Sequence, residues 1–201
     1  MRYGIDCDGV ICDMHKGLAD VINSIWMGRL PTGSEYPPEW DLTSLGLSQG
    51  ELGVVWSKVR ATRNWWLSLP AWTHNVGAVF RHRLKHPEDE IFYVTARSTE
   101  TEGLPIMHQS QRWLEMCGIG GVGTAVIVVP DGSRKVDVYE EIGVEYAVDD
   151  SLDVVNEGTH IIYLLSRPWN KSDRPAGIDV VGDLDEFFEM TRGNNASTTG
   201  R

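Results

Sequence analysis

The chain has 201 residues, 41% of them hydrophobic, which suits one domain or one core domain carrying an insertion. Its 18 basic and 29 acidic residues leave a net charge of −11, which argues against a long nucleic-acid partner, because such polymers are held by clustered Lys and Arg. The three cysteines, Cys7, Cys12 and Cys117, show neither a disulfide framework nor a zinc-ligand spacing. There is no basic-then-apolar leader and no apolar run of membrane-span length, so a reduced, cytoplasmic setting without a membrane is expected.

Tyr3-Gly4-Ile5 reads as a short strand that runs into Asp6-Cys7-Asp8-Gly9. In an extended chain residues two apart share a side, so Asp6 and Asp8 leave the strand together. Two acids aimed at one point repel unless a proton or cation lies between them. Mg2+ suits such a pair because it takes oxygen ligands and keeps room for water and phosphate. The plainer alternative is an ordinary Asp-Gly turn.

Apolar residues at 14, 18, 21, 22 and 25 predict a helix after this turn. Gly28, Pro31, Gly33, Pro37 and Pro38 then break any long element, and Thr43 or Ser44 could cap a short turn. The spacing of Ser48 and Glu51 fits a capping box that opens a second helix to about Arg60. Residues 17–72 are read as a small helical insertion. The stretch Asn64 to Trp72 is dense in aromatics, which can be a core cluster or a wall for a flat ligand.

Beyond it, strands and helices alternate. A helix is predicted over Asn75–His86, a buried strand over Glu90–Thr95, a helix over His108–Cys117 and a strand over Ala125–Val129. Lys135 opens a helix that closes at Gly143. A strand ends in Asp149-Asp150, followed by a short helix, a strand over Thr159–Leu165, a short strand at Val180-Val181 and a helix from Leu184 to Met190. The tail 193–201 is polar and small and is expected to be disordered. The pattern implies an α/β fold: a three-layer, Rossmann-like parallel sheet with helices on both faces. Residues 1–16 and 73–192 form its core, and the small helical cap is inserted after the first strand.

Right-handed crossovers place all the strand ends of a parallel sheet on one edge. Asp6, Asp8, Thr95, Lys135, Asp149 and Asp150 are therefore expected to converge. Acids, a hydroxyl and an ammonium are what phosphoryl transfer through an aspartate nucleophile needs. Each residue also has a plainer reading. Thr95 can be a mere strand end, Lys135 a solvated charge whose role Arg134 takes, and Asp150 the cap of the helix at Leu152.

The series Asp6-x-Asp8-Gly9-Val10, Thr95, Lys135 and Asp149-Asp150 resembles the four motifs of the haloacid dehalogenase (HAD) superfamily of phosphatases. Trp65-Trp66-Leu67-Ser68-Leu69-Pro70, then Gly77-Ala78 and Trp113, are similar to the 5'(3')-deoxyribonucleotidase family within it. Two departures stand out. Ala96-Arg97 follows Thr95 where that family more often has Ser-Pro, and the loop before Lys135 is longer.

The resemblance implies a Mg2+-dependent hydrolase that releases phosphate from nucleoside monophosphates, a 5'-nucleotidase-like phosphatase of nucleotide metabolism. Asp6 would be the nucleophile and Asp8 the acid and then the base. Thr95 would hold a phosphoryl oxygen, with the amides of Gly9 and Ala96 helping, and Lys135 would offset charge. Mg2+ would bind Asp6, Asp8 through its carbonyl, and Asp149, with Asp150 acting through water or orienting Lys135. Arg97 would touch a phosphate or sugar, or lie on the surface. Trp65, Trp66 or Trp40 would face the base. The alternatives are a HAD phosphatase for another small phosphate ester or for a nucleic-acid 3'-phosphate end, and a non-catalytic nucleotide-binding protein of the same fold. The partner is then a small phosphorylated substrate, and a homodimer is compatible with the sequence.

Overall fold

The computed structural model describes residues 1–30, 46–157, 161–172 and 174–198. Six strands form one sheet: β1 Arg2–Ile5, β2 Glu90–Ala96, β3 Thr124–Val129, β4 Tyr146–Asp149, β5 Ile161–Leu165 and β6 Val180–Val181. Every pairing is parallel, in the order β3-β2-β1-β4-β5-β6. The chain steps outward from β1 to β3, then returns across β1 to start β4. That reversal opens a crevice at the carboxyl ends of β1 and β4, where ligands of open α/β sheets bind.

The period-two alternation of the strands divides the core between two faces. Tyr3, Ile5, Ile91, Tyr93, Tyr146 and Val148 share one buried cluster with Leu18 of α1 (Met14–Ile25), Val79 of α3 (Thr73–Lys85), Trp113 of α4 (Ile106–Met116) and Phe187 of α7 (Leu184–Thr198). Val94, Ala147 and Ile162 share the other with Val136 and Tyr139 of α5 (Arg134–Ile142) and Val154 of α6 (Leu152–Glu157). Each Val, Leu, Ile or Phe among them contributes about 1.5–3 kcal/mol by leaving water. Gly4 keeps the central strand close to α5: a Cβ there would stand 2.6 Å from the Tyr139 ring. The expected three layers are present.

The remaining helix, α2, spans Gln49–Ala61 and opens with the predicted capping box. The Glu51 carboxylate accepts from the Ser48 amide at 2.8 Å, and the Ser48 hydroxyl accepts from the Glu51 amide at 3.3 Å. Val55 and Val59 of α2, Leu18 and Val21 of α1, and Trp65 and Trp66 of the 3-10 turn Trp65–Ser68 all join the sheet's first cluster. Among the described residues, the helical insertion therefore packs into the main core. Its first helix begins at Met14, capped by Asp13, ahead of the expected boundary at 17. The expected turn at Thr43 or Ser44, Trp40 and the start of the predicted strand at Thr159 lie outside the described residues.

At the other end the last helix runs past an expected boundary. α7 continues to Thr198, through residues expected to be disordered from Gly193. Once Phe187 and Phe188 have anchored the first turns in the core, each further residue gains a backbone hydrogen bond without a new nucleation cost. Among the described residues no helix is long and apolar enough to cross a membrane.

Candidate active site

Register brings the motifs together. Ile5 pairs with Tyr93 on one side and Val148 on the other, so Asp6 follows level with Val94 and Asp149. The Asp6 amide still donates to the Val148 carbonyl at 3.1 Å. Then the chain turns sharply. The amides of Val10, Ile11 and Cys12 all donate to the Cys7 carbonyl, at 3.3, 2.9 and 2.7 Å. Gly9 sits in this turn at φ 84°, and a Cβ on it would stand 2.2 Å from Asp150 Oδ2. Both the backbone angle and the close approach require glycine there.

Lys135 reaches in from the first turn of α5. Its Nζ donates to Asp149 Oδ2 at 2.8 Å and lies 2.7 Å from Asp6 Oδ1. The second contact is an ion contact only; its angle makes no hydrogen bond, and Asp6 Oδ1 stays without a hydrogen-bond partner in a buried position. Asp149 Oδ1 accepts from the Ser151 amide at 2.9 Å, so both Asp149 oxygens are engaged. Asp150 Oδ2 accepts from Trp169 Nε1 at 2.8 Å, and the Asp150 carbonyl accepts from Asn170 Nδ2 at 2.9 Å.

Asp6, Asp149 and Asp150 are all buried and offer one oxygen each within 4.8 Å of one another. Burial pushes the Asp6 carboxyl well above the usual carboxylate range; Lys135 opposes this, while Asp149 and Asp150 add to it. Burial and the neighbouring Asp149 push Asp150 up to about 7. Burial works against the Lys135 ammonium, but Asp149 and Asp6 outweigh it and hold its pKa well above the ordinary value. Three carboxylates face one ammonium. A hard dication fits the excess negative charge, the oxygen-only donor set and the Asp6 oxygen that accepts no hydrogen bond.

Asp8 is held differently. Arg97 forks onto it, with Nε 2.9 Å from Oδ2 and Nη2 2.7 Å from Oδ1, and Thr95 Oγ1 donates to Oδ2 at 3.2 Å. Thr95 is expected at a phosphoryl oxygen, and Arg97 at a phosphate or sugar or on the surface; Arg97 is in fact buried. Both side chains hydrogen-bond Asp8, a partner that the local sequence does not reveal.

A cavity of about 450 Å3 opens over Asp6, Asp8, Lys135, Asp149, Asp150 and Trp169. A second, of about 500 Å3, is lined by Gly53, Trp56 and Arg60 of α2 together with Trp66, Ser98 and Thr99. Met14 and Ala96 border both cavities. Of the tryptophan pair expected at a base, Trp66 reaches the second cavity. Trp65 reaches neither: it is buried in the core, edge-on to Trp66 with ring centroids 4.8 Å apart.

Four contributors escaped the sequence reading. Arg167 Nε donates to the Gly9 carbonyl at 2.6 Å, and Asn75 Nδ2 to the Val10 carbonyl at 2.7 Å, so both brace the turn. Trp169 and Asn170 hold Asp150. Three of these four follow β5 directly, so the strand-end rule that found Thr95 was the available signal.

No family model matches this chain, and no curated protein matches its sequence. Solved structures do match along nearly its whole length. An L-2-haloacid dehalogenase from Xanthobacter autotrophicus shares 14% identity over 96% of this chain and 98% of its own, with a TM-score of 0.56. A HAD-superfamily hydrolase of subfamily IA from Geobacter sulfurreducens shares 17% over 94% and 98%, also at 0.56. A D,D-heptose 1,7-bisphosphate phosphatase from Burkholderia thailandensis shares 14% over 95% and 97%, at 0.52. The six-stranded parallel sheet with helices on both faces is thus the HAD-type α/β fold that these hydrolases share.

Proposed function

We propose that this protein is a Mg2+-dependent phosphatase that hydrolyses small phosphate monoesters through an aspartyl-phosphate on Asp6, with nucleoside monophosphates as the substrate class. The observation that carries the reading is the buried group of Asp6, Asp149 and Asp150 around Lys135, opening into one cavity. The likeness to HAD hydrolases in fold supports it, and one of those structures is a sugar bisphosphate phosphatase by name.

An Asp6 carboxylate oxygen attacks phosphorus, and the ester P–O bond breaks. Asp8 gives its proton to the departing alcohol oxygen. Asp8 then takes a proton from water as the water attacks the phosphorus, and the Asp6–phosphorus bond breaks to release phosphate. Lys135 lowers the cost of bringing the anionic phosphoryl group against Asp6.

Asp6, Asp150 and the Asp8 carbonyl are the groups that would hold Mg2+. This reverses the expectation for the last motif, because both Asp149 oxygens already serve Lys135 and Ser151. When bound, the ion neutralises the acids and the phosphoryl oxygens. Lys135 is then oriented by Asp149 and not by Asp150. The two adjoining cavities suit a phosphate in the first and a leaving group in the second, beside Trp56 and Trp66.

The test is a phosphate-release screen over nucleoside monophosphates, sugar phosphates and 3'-phosphorylated oligonucleotides, in Mg2+ and in chelator. Release from nucleoside monophosphates is expected, with loss in chelator and in Asp6→Asn. Activity that survives Asp6→Asn sinks the mechanism. Release from sugar phosphates alone sinks the nucleotide assignment and leaves the chemistry standing.

A further inference from the structure

Arg97 is one of the most buried cations of the chain, with 1% of its side chain exposed. Four of its five N–H groups are directed at neighbours. Besides the fork to Asp8, Nη1 donates to Ser110 Oγ at 2.7 Å and Nη2 to Cys12 Sγ at 3.3 Å. The Ser110 hydroxyl in turn donates to the Ile106 carbonyl at 2.9 Å, which anchors the far end of the guanidinium in α4. The Trp66 ring carries the guanidinium carbon 4.7 Å from its centroid. Little of Arg97 is left for a substrate.

We infer that Arg97 is the positioning residue of the acid/base Asp8, and that it selects the Asp8 oxygen that moves the proton. The inference rests on the phosphatase reading and adds to it a role for a residue first expected at the phosphate. An aspartate carboxylate turns readily about its last torsion. One hydrogen bond leaves that rotation free, whereas two parallel bonds from a guanidinium fix the plane. A carboxylate offers about four acceptor positions. Arg97 Nε and Thr95 fill both positions on Oδ2, and Arg97 Nη2 fills one on Oδ1. The remaining position is on Oδ1, and Asp8 lines the first cavity. Asp8 Oδ1 is therefore the oxygen that gives and takes the proton. Trp66 borders the second cavity, so the clamp that orients Asp8 rests on a wall of the leaving-group space.

The experiment compares Arg97→Lys with wild type on a nucleoside monophosphate and on p-nitrophenyl phosphate, whose leaving group needs no proton. Lysine keeps the charge but offers no planar fork. On the nucleotide, kcat is expected to fall roughly 100-fold, as a misplaced catalytic group does, with KM changed by less than about threefold. Single-turnover release of nitrophenolate is expected to stay within about threefold of wild type. A raised KM with kcat unchanged makes Arg97 a substrate ligand and overturns the inference. An equal fall on both substrates makes it merely structural and also overturns it. If Arg97→Lys does not fold, Ser110→Ala loosens the far end of the clamp and is expected to show the same split, at about threefold to tenfold. A wild type that turns over no ester at all overturns the phosphatase reading and this inference together. Wild-type turnover with an unsplit variant overturns the inference alone.

Discussion

Lys135 is the residue on which the charge balance of the site depends. It is 4% exposed and touches two of three buried acids. Removing one partner of a buried ion cluster is costly because it strands the other charges, more than because a bond is lost. Lys135→Met preserves most of the volume and is expected to destabilise the protein by about 3–5 kcal/mol at pH 7. Adding Asp149→Asn is expected to recover part of that loss, since one stranded charge disappears. Urea unfolding of the two variants measures both effects; a double variant no more stable than the single one would mean that charge is not the cause.

At the scale of elements, α3 and α7 are pinned together and to the start of β2 through one buried acid. His82 Nε2 lies 2.9 Å from Asp89 Oδ2, Arg192 pairs with the same oxygen, and the His82 ring stacks on Phe188 at 3.8 Å and 15°. Burial depresses the His82 pKa from 6.5 to about 4, although Asp89 pulls the other way. Nε2 must then donate to Asp89 from the neutral ring. A folded pKa below the unfolded one means that the unfolded chain binds the extra proton first. The His82 contribution is thus fully present above pH 6.5 and is lost as the pH falls to about 4, by up to roughly 3 kcal/mol. His82→Gln is expected to flatten the dependence of the urea midpoint on pH between 6.5 and 4. An unchanged slope there would assign the acid sensitivity to other groups.

For the molecule as a whole, the net charge of −11 and the acid-lined crevice act together. A cation that binds only the folded state stabilises it by mass action, by about 2.7 kcal/mol at one hundred times its dissociation constant. Thermal unfolding in Mg2+ is expected to occur at a higher temperature than in sodium chloride of equal ionic strength. Asp150→Asn is expected to remove most of that difference. General screening of the acidic surface would leave the variant and the wild type equally responsive, and that outcome would count against a built site.

The sequence by itself determined the strands, the helices and the polar residues at the strand ends. Ile5, Tyr93 and Val148 belong to short apolar runs bounded by turns, and such runs can hardly be anything but buried parallel strands once helices alternate with them. The capping box at Ser48 and the glycine stop at Gly143, with φ 67°, were legible because they are local chemistry. That Asp6, Lys135, Asp149 and Asp150 share one crevice followed from the common edge of a parallel sheet. Tertiary structure alone decided which atom serves which. Whether Asp149 or Asp150 takes Lys135, whether Arg97 faces a substrate or Asp8, and whether Trp65 or Trp66 meets a cavity depend on side-chain directions. Those directions are set by packing between elements far apart in the chain, such as β1 against β4 and α4 against the 3-10 turn. No pattern along the sequence records distances of that kind, because the residues that fix them are neighbours only after folding.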